Sequence, residues 1–489
     1  MNVSQLRNLS LGYLILPNLI FSAWWFKFPV ALLTIIGFLY LFKLNVDVKA
    51  NIDKRLGRRD IVGIGLLALV LVAFSGIGGL SFQVFDYWSH NSKYNTLFSH
   101  SWPVVFRETG QYACHYFGFF LVPALISKLL GSISDSALYL WASFGLFLGL
   151  CWVYIISNKS IPAFCLLFCL GGAGHLVKVV LIRLAGLSFF VPPFFIEVWP
   201  FLYQIQWAPN QMIPTLLCAG IVFSDYCYLQ KPEKSTLAII SLFIWAVFPG
   251  MVFTAVISVM ILLKYWKTPK YLLQSSFLKL ILISALVFIP IFVYLLSARG
   301  AVIGGFIWTF DPLNEIGFHY FFGVLTEIAI FLAVIYILNL HKSEYATIIY
   351  SLFFLLVIVS MFRMGKWNDW FLRGNTVIVT LLCLFVMQRF AIWIKENPFW
   401  YRRKTSYILF MLIVSGIIVP ASLLIRALKK NQLTSYFSKD TDKFHPYRYG
   451  DYENFYEMGK VIYSKQEAEQ WAASKGSFYE HYLARASKN

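Results

Sequence analysis

Long uncharged apolar runs constrain this chain more than anything else in it. Ile61–Phe82 has no charged side chain and is long enough to cross the hydrocarbon core of a bilayer, and similar runs recur as far as Ile425. With 59% hydrophobic and only 13% charged residues, where ordinary soluble domains carry about 25%, the chain reads as an all-α polytopic membrane protein. The net charge of +18 does not point to nucleic acid. Most basic residues fall in short loops between apolar runs, where they set orientation and meet anionic lipid headgroups. The seven cysteines lie mostly inside apolar runs and read as small core residues, not as a disulfide framework. No cleavable signal peptide is expected, because the first apolar run lacks a small-residue cleavage site and leads straight into the second.

The basic loops order the spans. Leu11–Trp25 and Phe28–Phe42 read as a hairpin, followed by the Lys/Arg-rich loop Lys43–Asp60, which the positive-inside rule makes cytoplasmic together with the N-terminus. Ile61–Phe82 then delivers residues 83–111 to the outer face. Tyr112–Leu130, interrupted by His115, Gly118, Pro123 and Lys128, reads as an interfacial amphipathic helix, since a crossing there would put every later basic loop on the wrong side. Further spans follow at Ala137–Ile156, Ile161–Leu170, Pro209–Phe223, 236–263 (broken at Pro249-Gly250), Leu280–Leu296, Tyr320–Leu340, Ala346–Met361, Val377–Phe390 and Tyr407–Ile425. The expectation is about thirteen transmembrane helices in a core of residues 1–425, at ~20 residues per span with short ones allowed. Residues 426–489 form a polar extracytoplasmic tail. Ser464 and Glu467 have capping-box spacing there, and the aromatic content predicts docking on the outer surface.

Polar outliers gather on the outer side. The first long loop, QVFDYWSHNSKYNTLFSHSWPVVFRETGQ, combines Asp86, His90, Asn91, Lys93, Arg107 and Glu108 with Tyr87, Trp88 and Trp102. His175, Lys178, Glu197, Gln204, Gln206, Asn210, Gln211, Arg299, Arg363, Lys366, Asn368, Asp369 and Arg373 fall at the ends of later spans on the same side. A single Arg in such a position is ordinarily one that snorkels to the interface. As a set beside carboxylates and amides, Arg299, Arg363, Lys366 and Arg373 suit the phosphate of a polyprenyl-phosphate donor. A sugar phosphate leaves without protonation if cations stabilise it, so transfer needs one base for the attacking hydroxyl, and Asp86 is the candidate. Hydrolysis would need a second carboxylate at defined spacing. Asp86 could instead cap the helix that follows it. His90, four residues on, would share a helix face with Asp86; the two could also bind a divalent ion, although two ligands are few. Asn368 and Asp369 have the character of an N-cap. Glu327 falls inside a span and so must face the bundle interior or a cavity.

The segments FDYWSHNSKYNTLFSHSWPV, HYFGFFLVPALISKLLG, QIQWAPNQMIPTLL, KWNDWFLRGN and SFYEHYLA, spread between residues 82 and 485, resemble the GT-C superfamily of integral-membrane glycosyltransferases. That resemblance implies a polyprenyl-phosphate-linked sugar as donor, a glycan or glycolipid as acceptor, and a bacterial inner-membrane location with chemistry at the outer face. It implies Asp86 as the loop carboxylate with His90 and Asn91 beside it, Gln206 and Asn210 lining an outer pocket, and Asn368, Asp369 and Arg373 forming a late outer element. The family pattern has a histidine near position 210, where this chain has Asn210. A polysaccharide polymerase or ligase would use similar loops. A lipid-linked sugar flippase would ordinarily show internal repeats and polar groups along a transmembrane path. No repeat is visible in the sequence, and the polar groups gather at one face.

Overall fold

In a computed structural model, the chain is described over residues 1–46, 54–186, 196–298, 304–310, 313–365, 367–402, 404–438 and 449–487. It is all-α and 76% helical. The helices are α1 (Val3–Trp25), α2 (Phe28–Val46), α3 (Arg58–Ser75), α4 (Tyr87–Ser99), α5 (Gly118–Leu130), α6 (Asp135–Ile156), α7 (Ile161–Cys169), α8 (Ala173–Ala185), α9 (Phe201–Trp207), α10 (Pro209–Cys227) and α11 (Thr236–Leu242). They continue with α12 (Val247–Tyr265), α13 (Ser275–Leu296), α14 (Leu313–Tyr320), α15 (Thr326–Ile337), α16 (Ala346–Ser360), α17 (Asp369–Glu396), α18 (Lys404–Lys429), α19 (Gln432–Ser438), α20 (Phe455–Ile462) and α21 (Lys465–Glu469). Two short antiparallel pairs accompany them: β1 (Val105–Phe106) with β2 (Gln111–Tyr112), and β3 (Gly304–Phe306) with β4 (Phe362–Met364).

The expected thirteen spans are not found. Among the described residues six helical stretches are long and apolar enough to cross a membrane: α2, α6, α12, α13, Ile316–Ile337 and α17. Two pairs bent by 49°, α7 with α8 and the halves of α18, bring the number to eight if each pair is one span. The reason is local in each case. α1 carries Arg7, Asn8 and Asn18, α3 opens with Arg58, Arg59 and Asp60, and α10 contains Asn210, Gln211 and Asp225. α11 has 7 residues and α16 has 15, about 10 and 22 Å at 1.5 Å per residue, short of a ~30 Å hydrocarbon core.

Two other boundaries differ from expectation. Ile61–Phe82 is not one helix: α3 ends at Ser75 because Gly76 takes φ 89°, where a Cβ would come within 2.8 Å of the Phe82 carbonyl oxygen. The break in 236–263 falls at 243–246, ahead of Pro249-Gly250. Pro249 instead sits in the first turn of α12, where a missing N–H leaves no helical bond unmade. α5 is 13 residues long, and Phe119, Phe120, Leu121, Val122 and Ala124 are buried in the bundle.

The core forms around α10, which packs on α6, α17 and α1. α17 is buried along 78% of its span and α2 along 28%, which separates the central helix from one that faces lipid. Small residues let α6 and α10 meet closely: a Cβ at Gly149 would lie 2.8 Å from Leu216, and one at Gly220 would lie 2.4 Å from the Trp152 ring. Glu327 is buried, as a carboxylate inside a span must be, and accepts the Gly174 N–H at 3.0 Å.

One end of the bundle is tied by a buried ion pair. Arg7 on α1 grips Asp225 on α10 through Nε to Oδ1 at 2.8 Å and Nη2 to Oδ2 at 2.9 Å. The same guanidinium donates to the Asn45 carbonyl at 2.9 Å, to Asn45 Oδ1 at 3.0 Å and to the Lys234 carbonyl at 3.2 Å. The basic positions Lys54, Lys159 and Lys234 lie at this end too, on Asn158, Asp60 and the Leu44 carbonyl respectively.

The other end holds α4, the starts of α10 and α17, and the tail. Ser464 caps α21 by accepting the Glu467 N–H at 3.2 Å, as its spacing predicts. The tail docks as its aromatic content predicts. Phe455 stacks edge-on against Phe106 and Phe117, and Tyr479 is buried against Tyr294 and Phe26. Backbone bridges join Ala472 to Ala113, Ala473 to Ala298 and Ala484 to Phe26.

Breaking one partner of the Arg7–Asp225 pair leaves the other charge buried and alone. Arg7→Met should therefore cost about 3–5 kcal/mol, while the double variant Arg7→Met with Asp225→Leu should recover most of that loss. Thermal unfolding of the detergent-solubilised protein reads both; equal losses in the single and double variants would contradict the account.

Candidate functional site

The turn after α3 aims α4. The Gln83 amide donates to the Gly76 carbonyl at 2.8 Å, the Asn91 amide donates to Gln83 Oε1 at 3.0 Å, and the Tyr87 hydroxyl donates to the Ser75 carbonyl at 2.8 Å. Asn91, expected to bind substrate, thus holds the turn. Asp86 occupies the N-cap position of α4, but its side chain makes no capping hydrogen bond. Instead, Arg373 Nη2 on α17 donates to Asp86 Oδ2 at 3.3 Å, joining residues 287 apart in sequence.

Arg373 lies between two carboxylates. Its Nε faces Asp369 Oδ1 one helical turn earlier at 3.6 Å, an ion pair too long for a hydrogen bond. Its guanidinium lies 5.9 Å from the centre of the Trp199 ring, and its Nη1 is buried without a hydrogen-bond partner. The Asp86 carboxylate is 27% exposed and that of Asp369 39%, so this charge cluster opens outward. Burial raises the Asp86 carboxyl above its ordinary value; Arg373 opposes the rise and Asp369 adds to it.

Asp86, His90 and Lys93 follow helical spacing along one face of α4. The partner of His90 Nε2 is the Trp207 carbonyl at 3.1 Å, so Nε2 carries the proton and Nδ1 is left as a buried acceptor without a partner. Burial first, then the neighbouring Lys93 charge, pushes His90 down to about 3, and it is neutral at physiological pH. A group held in that state is a poor base. Lys93 is buried, with Tyr116 and Trp471 each 5.7 Å from its ammonium, and no hydrogen bond or ion pair reaches it among the described residues. Burial lowers it to about 7, partly offset by Asp86. The Tyr116 ring stacks on His115 at 3.9 Å, and its hydroxyl accepts from the Gln211 amide at 3.1 Å.

Behind Trp199 lies a second carboxylate. Glu197 meets His175 Nδ1 at 2.7 Å, the Trp199 indole N–H at 3.1 Å and the Lys178 ammonium, while its backbone carbonyl accepts from the Asn375 amide at 3.0 Å.

The remaining expected site residues divide. Arg299 and Lys366 lie outside the described residues. Arg363 belongs to β4, opposite Gly305 of β3, and its guanidinium lies 4.5 Å from the centre of the Phe310 ring. Gln206 donates to the Phe74 carbonyl at 3.5 Å, leaving its own Oε1 unpartnered. Asn210 is buried at the start of α10 with its Oδ1 unpartnered. Asn368 precedes α17 at φ 53° and does not cap it through its side chain. Among the described residues no three His, Cys, Asp or Glu side chains converge as metal ligands. Tyr116, Trp199 and Trp471 were not anticipated. The spacing of Lys93 from Asp86 is the sequence signal for its place beside them.

The Lys93 pH dependence has a definite sign. In the unfolded chain the amine titrates near 10.4, and in the folded protein at about 7. Below about 7 both states are protonated and the full cost of the buried charge is present. Between these values the unfolded chain binds more protons, so stability rises with pH. Lys93→Met should therefore be more stable than wild type at pH 6, with the difference shrinking towards pH 10 in thermal unfolding curves; a pH-independent difference would contradict the assignment.

No family model matches this sequence, and no curated protein matches it. The fold and composition show a helical, multi-pass membrane protein with several candidate spans.

Proposed function

We propose that this chain is a GT-C-type membrane glycosyltransferase. It transfers a sugar from a polyprenyl-phosphate donor to a cell-surface glycan or glycolipid at the outer face of a bacterial inner membrane. The observation that carries the reading is Asp86 held against Arg373 at 3.3 Å, with Arg373 Nη1 buried and without a partner. An unpaired buried guanidinium N–H is costly, and an anionic ligand oxygen relieves it.

In this reading the acceptor hydroxyl gives its proton to an Asp86 carboxylate oxygen. The acceptor oxygen forms a bond to the anomeric carbon as the bond to the phosphate oxygen breaks. The electron pair leaves with polyprenyl phosphate, whose charge Arg373 and the Lys93 ammonium stabilise. The raised Asp86 pKa makes it a stronger base than an ordinary aspartate. His90, neutral and donating to Trp207, is assigned a positioning role. Tyr116, Trp199 and Trp207 offer aromatic faces to a sugar ring.

Asp86→Asn keeps size while removing the proton acceptor. Turnover with labelled polyprenyl-phosphate sugars should fall roughly 10²–10⁴-fold with donor binding nearly unchanged. Near-normal turnover would remove Asp86 as base, and recovery on raising divalent ion would reassign it as a metal ligand. The wild-type profile should lose activity on the acid side above the ordinary aspartate value of ~3.9. It should also lose donor affinity as pH rises through about 7, where Lys93 gives up its charge; Lys93→Met should abolish that alkaline loss.

A further inference from the structure

At the outer end, away from the Asp86–Arg373 pair, four parts of the chain enclose a recess of about 300 Å³ lined by Trp24, Ser101, Trp102, Leu125, Lys128, Arg485 and Ala486. We propose that it seats the phosphate of an anionic phospholipid headgroup, with Lys128 and Arg485 as the cations and Trp24 and Trp102 as its walls.

The recess carries two positive charges and no carboxylate. Lys128 is fixed in place: its ammonium donates to the Phe98 carbonyl at 2.8 Å and the His100 carbonyl at 2.6 Å, and lies 5.5 Å from the centre of the Trp102 ring. Two of its three protons are thereby used, and one is left for a ligand. Arg485 is held by its backbone, whose N–H donates to the Trp25 carbonyl at 3.0 Å and whose carbonyl accepts the Tyr112 hydroxyl at 3.2 Å. One guanidinium nitrogen, Nη1, donates to the Ala23 carbonyl at 3.2 Å, leaving the other donors of the fork available. Trp24 meets Trp102 edge-on at 5.8 Å. Tryptophan and long cationic side chains gather where a headgroup lies between water and hydrocarbon.

The lipid tail has a path as well. Leu125 lines the recess, and Leu129, one turn on along α5, is 80% exposed, with Leu130 at 64% and Ile126 at 39%. A free phosphate would satisfy the cations but leave these apolar side chains uncovered; a phospholipid satisfies both.

The test uses the full-length protein in detergent, titrated separately with phosphatidylglycerol, phosphatidylcholine and inorganic phosphate while the melting temperature is followed. Phosphatidylglycerol should raise it by roughly 2–5 °C at saturation, with the other two having little effect. Arg485→Gln should weaken that response about fivefold, the worth of one cation at a membrane surface. Lys128→Gln loses two structural bonds, so lipid retention by native mass spectrometry is compared in Arg485→Gln, whose fold depends less on the altered group. Equal stabilisation by phosphatidylcholine, an unchanged response in Arg485→Gln, or stabilisation by inorganic phosphate alone would each overturn the proposal.

Discussion

The buried pair between Arg7 and Asp225 is the constraint on which the arrangement of helices depends. Two charges taken out of water are tolerated only when each is matched, and here the guanidinium finds a bidentate carboxylate, both oxygens of Asn45 and a further carbonyl. Those partners come from α2, α10 and the turn before α11, so satisfying one side chain of α1 fixes four parts of the chain against each other. Registry follows. Asp225 and Gln211 are fourteen residues apart on α10, about 21 Å along its axis, and anchoring one end sets how far the other reaches towards Tyr116.

The cluster at the other end, around Asp86 and Arg373, obeys the opposite rule. At the Arg7 end every nitrogen of the guanidinium donates a hydrogen bond; at Arg373 both Nε and Nη1 are buried without a hydrogen-bond partner, and the rings of Tyr116 and Trp471 lie closest about the Lys93 ammonium. A chain that satisfies one buried arginine so fully and leaves another incomplete has separated an end closed by its own partners from one with donors to spare. α10 and α17 run between the two, and they are the most enclosed of the long helices.

How much of this could be read from residues alone depended on range. The membrane class, the helical content, the Ser464 cap and the docking of an aromatic tail all rest on composition or short spacing, and each was legible. Helix ends were not. Gly76 ends α3 because the backbone must turn with positive φ, which an apolar count over Ile61–Phe82 cannot register. Counting runs gave about thirteen spans, because hydropathy alone does not show that α11 or α16 is too short or that α10 carries polar residues inside. Partner choice was harder still. Arg363 and Arg373 look alike in sequence, yet strand pairing turns the first onto Phe310 while helical placement turns the second onto Asp86.

The docked tail has a consequence for biosynthesis. Trp471, which covers Lys93 and His115, and Tyr479, which packs under Trp25, lie downstream of every span. Until that segment has been made and has found Ala113, Ala298 and Phe26, this end of the bundle carries an uncovered patch of rings around Lys93. Assembly of this end therefore finishes only after the last span has been made. Throughout translation of the spans the polar cluster stays open at the place that the C-terminal residues later take.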